Sequence, residues 1–238
     1  FDEAMSDQFF TELGIPTPTF NLGIGGGSHG ANTGQMLERI ERVLLDVRPD
    51  AVLVYGDTDS TLAGALASSK LKIPVIHVEA GLRSFNRHQP EEQNRVITDH
   101  LADLCFAPTD TAVSHLLREG IPEERIKRTG DVMADGARIF GEKVEEQADE
   151  LLTKAGLNSI LSDNQPFVLA TIHRAENTDD PVKLKAIFSA LTSIATNKLV
   201  DAQQLPVLLP LHPRTEARIE MHQLKHLLKP LVLTSPLG

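Results

Sequence analysis

Short apolar runs alternate along the chain with longer segments in which apolar residues recur every three or four positions. Residues Ala51–Tyr55, Ile73–Val78, Leu104–Ala107, Phe167–Ile172, Val207–Leu211 and Leu231–Leu233 are dominated by Val, Ile and Leu. Runs of this length without polar alternation are the pattern of strands apolar on both faces. Between them, Met36, Ile40, Val43, Leu44 and Val47 fall on one helix face, and Pro181 after Asp179 and Asp180 marks a further helix start. Strand and helix take turns throughout, so the pattern predicts a doubly wound α/β fold with parallel sheets covered by helices.

The pattern changes after Gly130. Residues 138–165 read as a polar helix followed by a turn rich in Ser, Asp and Asn, and a fresh strand begins at Phe167. This predicts a bridge between two α/β domains, 1–134 and 135–238. The chain opens inside a helical pattern without Met and closes on Ser235-Pro236-Leu237-Gly238, so the second sheet is expected to be incomplete.

Composition narrows the functions available. With Lys+Arg 23 against Asp+Glu 33 the net charge is −10, and 41% of the 238 residues are hydrophobic, enough for a core and too much for a disordered chain. No block of like charges offers a phosphate-binding stripe, which argues against nucleic acid and leaves room for a small anion held by a few local cations. No apolar run approaches the roughly 18 residues of a membrane helix, and the N-terminal stretch is acidic rather than leader-like. The single cysteine, Cys105, lies in a strand pattern, so no internal disulfide is possible and a cytoplasmic setting is the simplest expectation.

Four polar clusters stand directly after predicted strands: Gly56–Ser60, Glu79–Arg83, His173–Asn177 and His212–Thr215. Ligands of open parallel sheets bind beyond the carboxyl ends of the strands, which predicts one cleft lined by these clusters. Asp57 is either a helix cap, in competition with Thr58, Asp59 and Ser60, or a functional carboxylate. Glu79 closes a buried strand, where a carboxylate must be neutralised, with Arg83 the nearby cation, or keep a raised pKa suited to proton transfer. Glu91 and Glu92 open a helix behind Pro90 and would compensate its dipole, or one of them would face the cleft. His173 with Arg174, and His212 with Arg214, fit phosphate contacts better than a metal.

Other motifs carry less. Gly25–Gly30 matches the G-x-G-x-x-G spacing, but the prolines before it leave no buried strand, so a cleft-edge loop is expected rather than a nicotinamide site. His77-Val78-Glu79 has the form of a zinc deaminase H-x-E, yet one cysteine cannot supply the thiolate pair. His222 and His226, four apart on an expected helix, lack a third ligand. No metal or cofactor is expected.

Residues 54–109, from VYGDTDS through HVEAGLRSFNRHQPEEQNR to CFAPT, together with TGDVMADGA at 129–137, HRAEN at 173–177 and HPRT at 212–215, closely resemble the non-hydrolysing UDP-N-acetylglucosamine 2-epimerases. The resemblance implies a glycosyltransferase-B-like fold of two Rossmann-type domains. It also implies interconversion of UDP-N-acetylglucosamine and UDP-N-acetylmannosamine by elimination and re-addition of UDP. By motif, Asp57, Glu79 and Glu91 would carry the proton chemistry and His173 would lie near the diphosphate. Arg174, His212, Glu176, Arg83 and Arg95 are the expected ligand contacts. A homodimer goes with the family. The family's first strand and nucleotide loop would precede Phe1 and further ribose- and phosphate-binding strands would follow Gly238, so the 238-residue piece alone is expected to be inactive. A glycosyltransferase of the same architecture, a hydrolysing epimerase and a non-catalytic nucleotide-sugar module are the competing readings.

Overall fold

The computed structural model describes residues 10, 13–157, 166–200 and 203–235. The chain divides into two compact units, Phe1–Phe140 and Gly141–Gly238.

The first unit runs α1 His29–Val47, β1 Val52–Tyr55, α2 Asp59–Lys70, β2 Val75–Val78, α3 Pro90–Leu101, β3 Leu104–Ala107, α4 Asp110–Arg118 and β4 Ile126–Arg128, and the helix α5 Val132–Lys154 begins in it and ends in the second. The four strands form one parallel sheet in the order β1-β2-β3-β4, with Tyr55 opposite Val78 and Val78 opposite Phe106. Each helix start is written locally. Ser28, Thr58 and Thr109 accept the N–H three residues on, and Pro90 occupies the first turn of α3, where its missing N–H costs nothing. The core is built of small side chains, Ala65, Ala80, Ala102, Ala107 and Ala112 around Val54, Val75, Cys105 and Leu116. These let helices approach the sheet closely. Gly81, at φ +82°, sits so near α4 that a Cβ would lie 2.4 Å from the Ala112 carbonyl oxygen. Cys105 is enclosed in this core, and burial, reinforced by Asp99, pushes its thiol up to about 12.

The second unit holds β5 Val168–Leu169, α6 Ala175–Thr178, α7 Pro181–Thr196, the antiparallel pair β6 Lys198–Val200 and β7 Gln203–Gln204, β8 Val207–Pro210, α8 Pro213–Met221 and β9 Val232–Thr234. Its parallel sheet has the order β5-β8-β9 over a core of Leu184, Phe188, Val207, Leu209, Ile219 and Leu231. Asp180 caps α7 by accepting from the N–H groups of Val182 and Lys183.

Several expectations are corrected. β1 is not covered on both faces: Leu53 is 43% and Tyr55 61% exposed, while Val54 between them is buried. The run Phe167–Ile172 yields a strand of only two residues, because its ladder with β8 ends at Ala170, although Ile172 beyond it is still part of the core. The bridging helix begins at Val132, capped where Asp131 accepts the Met133 N–H at 2.8 Å, and ends at Lys154. The Ser/Asp/Asn turn expected at 158–165 lies outside the described residues. His222 closes α8 and His226 lies in a separate 3-10 turn, so they share no helix face. No helix among the described residues is long and apolar enough to cross a membrane.

Candidate active site

In the first unit the carboxyl ends of adjacent strands β1 and β2 carry Asp57 and Glu79. Thr58, not Asp57, caps α2, so capping does not account for Asp57. Its carboxylate instead takes an ion pair from Arg95 of α3, Nη2 to Oδ2 at 2.5 Å, and its carbonyl accepts from the Asn94 amide at 2.9 Å. Arg95 is itself held by Glu92, Nη1 to Oε2 at 3.1 Å.

Glu92 is buried and accepts the N–H groups of Ser84 and Phe85 at 2.8 and 2.9 Å and the Ser84 hydroxyl at 3.0 Å. Burial works against its ionisation, but these donors and Arg95 outweigh it and hold the carboxyl below its ordinary value. Glu92 therefore shapes the turn and the arginine, while Glu91, one residue earlier, is exposed on the first turn of α3.

Glu79 is unusual twice over. Its backbone is left-handed, φ +70°, a conformation that costs an L-residue with a Cβ about 1–2 kcal/mol. Its carboxylate makes no hydrogen bond or ion pair with a described residue, and Oε2 lies 3.2 Å from where a Cβ on Gly56 would stand. Burial, then Asp131 and Asp57, push its pKa above the ordinary value, against the smaller pull of His77 and Arg95. Of the two possibilities the sequence left open, Glu79 takes the raised pKa. Arg83 does not reach it. That guanidinium is 1% exposed and bound to Asp99 at 2.7 Å and Glu119 at 2.8 and 2.6 Å. Burial opposes its charge, but Glu119 and Asp99 hold it protonated above its ordinary value. Enclosed in this way, Arg83 is a framework residue rather than the ligand contact expected.

The glycine-rich loop ends at Ser28, the cap of α1, and His29 reaches back to Asp59 at 3.0 Å, tying the loop to the turn that carries Asp57.

In the second unit the rings of His173 and His212 lie 6.2 Å apart at the ends of β5 and β8. His212 caps α8, its Nδ1 accepting the Arg214 N–H at 3.1 Å. Arg174 is 66% exposed and, among the described residues, has only a loose partner in Glu176 at 3.9 Å. Arg214 is committed to Asp179, two contacts at 2.9 Å, which hold the Asp179 carboxyl below its ordinary value. The described residues hold no group of three or more His, Cys, Asp or Glu able to bind a metal.

The sequence reading gave no structural role to His77 or Asp99, and it weighed Glu92 only as a dipole-compensating or cleft-facing neighbour of Glu91. Glu92, Arg95 and Asp99 recur at i, i+3 and i+7, a polar stripe on the face of α3 that packs inward, and this spacing was the available signal.

A family model described as UDP-N-acetylglucosamine 2-epimerase matches residues 1–238. The chain belongs to the UDP-N-acetylglucosamine 2-epimerase family. A UDP-2,3-diacetamido-2,3-dideoxy-D-glucuronate 2-epimerase of Pseudomonas aeruginosa is 49% identical over 94% of this chain and 59% of its own length. A UDP-N-acetylglucosamine 2-epimerase of Methanocaldococcus jannaschii is 45% identical over 96% of this chain and 60% of its own. The crystal structure of the Methanocaldococcus jannaschii UDP-GlcNAc 2-epimerase in complex with UDP-GlcNAc and UDP matches with a TM-score of 0.86 at 43% identity, covering 100% of this chain and 64% of that one. The Neisseria meningitidis UDP-GlcNAc 2-epimerase bound to UDP-GlcNAc matches with a TM-score of 0.85 at 31% identity, over 98% and 62%. The chain thus spans about three fifths of the length of these epimerases. Its fold class is the glycosyltransferase-B-like α/β architecture of the family.

Proposed function

We propose that this chain carries the proton-transfer chemistry of a non-hydrolysing UDP-N-acetylglucosamine 2-epimerase, interconverting UDP-N-acetylglucosamine and UDP-N-acetylmannosamine. The observation that carries the reading is the contrast between two carboxylates at neighbouring strand ends. Asp57 is clamped by Arg95, and Glu79 is part-buried and without a hydrogen-bond or ion-pair partner among the described residues. Two carboxylates held in environments this different suit one to accept a proton while another delivers one.

In the reaction, a carboxylate takes the hydrogen at C2 and that electron pair forms the C1–C2 double bond. The C1–oxygen bond to UDP breaks, and UDP leaves with its electrons. UDP then adds back to C1 as a proton reaches C2 from the other face. Asp57 and Glu79 serve the two faces, each exchanging roles with the direction of turnover, and Glu91 is the third carboxylate available. His173, Arg174 and His212 are the proposed diphosphate contacts, and among the described residues Arg174 has only Glu176, at 3.9 Å, as an ion-pair partner. Glu176, 3.9 Å from Arg174, is the further ligand contact proposed in that loop. A homodimer and a cytoplasmic site of action accompany this reading.

The 49% identity to an epimerase of UDP-2,3-diacetamido-2,3-dideoxy-D-glucuronate favours a second substrate reading, in which the same C2 chemistry acts on that sugar. The two sugars share UDP and the 2-acetamido group, so both readings use the same residues. The test incubates the full-length protein in deuterated water with each nucleotide sugar. Deuterium at C2 of both epimers is expected, and the faster-exchanging sugar names the substrate. Protium retained at C2 of both sugars, with transfer to an added acceptor, would overturn the reading in favour of a transferase.

A further inference from the structure

The backbone around Glu79 is unusual in how it is held. Val78 and Ala80 keep their sheet contacts, Val78 O accepting from Gly56 N at 3.1 Å and Ala80 N donating to Phe106 O at 3.1 Å. Glu79 alone is turned into the left-handed region between them. Beneath it lies His77, 0% exposed, with Nδ1 2.6 Å from Asp99 Oδ1 and Nε2 2.8 Å from the carbonyl oxygen of Gly56. The other Asp99 oxygen accepts the Gly81 N–H at 3.0 Å and is paired with Arg83. One His-Asp pair therefore grips the chain on both sides of Glu79, at Gly56 across the strand end and at Gly81 two residues on.

A carboxylate and a carbonyl oxygen are both acceptors. A ring lodged between them satisfies both only by donating from both nitrogens, that is, as an imidazolium. The charges beside it balance such a cation: Asp99 and Glu119 are negative and Arg83 positive, so the enclosed quartet is neutral. Facing the same strand end are Glu79, Asp57, Asp131 and Arg95.

We propose that His77, doubly protonated against Asp99, is a positioning residue that fixes the left-handed Glu79 and the Gly56 turn in the geometry needed for proton transfer at C2. This rests on the reading of Glu79 as a proton-transfer group. The positive ring also lies close enough to Glu79 to oppose the burial that raises its pKa. The arrangement explains why an ionisable ring occupies a strand otherwise made of Val and Ile: it orders the backbone on which the reacting carboxylate stands.

The test uses the full-length protein with UDP-N-acetylglucosamine in deuterated water. In His77→Asn the amide replaces Nδ1 and keeps the Asp99 contact. In His77→Gln it replaces Nε2 and keeps the Gly56 contact. Each is expected to lower kcat for C2 exchange by about 10- to 100-fold, the cost of a small misplacement of a reacting group, with KM within about twofold of the parent. In the parent protein, nitrogen-15 shifts should show hydrogen on both ring nitrogens. Folded His77 variants with unchanged kcat, or a bare ring nitrogen in the parent, would overturn the proposal. The ring spectrum needs no variant and decides the matter if both substitutions unfold the protein. If Glu79→Gln exchanges normally, the reading of Glu79 fails. If Glu79→Gln is dead while the folded His77 variants exchange normally, only the positioning role fails.

Discussion

The strand ends of the two units are furnished with the same residue types and held in opposite ways. In the first, Asp57, Arg95 and Glu92 form one chain of contacts, and His77, Asp99, Arg83 and Glu119 form another that is mostly enclosed. In the second, Arg174, Glu176, Asp179 and Arg214 stand in solvent and pair loosely or with one another. The difference follows the chemistry proposed for each. Moving a proton at carbon needs carboxylates whose environments differ, and that takes burial and fixed neighbours. Receiving a charged diphosphate needs donors that are free to turn toward it, and an exposed arginine meets that need without prior desolvation.

Substitutions can break this contrast, beginning with the largest effect. Glu79→Gln should lower C2 exchange by about 10²- to 10⁴-fold, the usual contribution of a general acid or base, with the folded state intact by circular dichroism. Arg83→Ala should cost about 3–5 kcal/mol in urea denaturation, because it removes a buried cation shared by Asp99 and Glu119 inside the first unit. A surface-sized loss there would mean the enclosed quartet is no different from the exposed pairs of the second unit. Arg174→Ala should raise KM for the nucleotide sugar about tenfold and leave the unfolding midpoint unchanged, as expected for a charged hydrogen bond made only to ligand.

The smallest effect is one of pH. The folded-state pKa of Glu79 is raised, so its contribution to stability is fully present below the ordinary carboxylate value and is lost as pH rises through the raised one. Parent and Glu79→Gln should therefore melt together at about pH 4, and the variant should melt slightly higher at about pH 7.5. Equal melting at both would remove burial as the source of the shift.

Much of the fold was legible because β1, β2, β3, β8 and β9 are written as apolar runs. β4 escaped because Ile126-Lys127-Arg128 presents a single apolar residue and owes its pairing to β3 rather than to its own pattern. The pair Lys198–Val200 and Gln203–Gln204 escaped because strands of two or three residues are too short to show a period. Asp57 and Glu79 could be singled out from their place after strands. What could not be read was their separate fates, since these depend on partners far along the chain: Arg95 is 38 residues from Asp57, and Asp99 is 22 from His77. Arg83 misled for the same reason. It is four residues from Glu79 in sequence, but its true partner Glu119 is 36 away from it.

Cys105 gives the molecule an experimental convenience. It is the only sulfhydryl in the 238 residues, and with its thiol pushed up to about 12 it is scarcely nucleophilic at neutral pH. A cysteine introduced on the exposed face of α7, at Val182 for instance, would then take a maleimide dye or spin label selectively. These 238 residues are thus already a silent background for reporters placed at chosen surface positions.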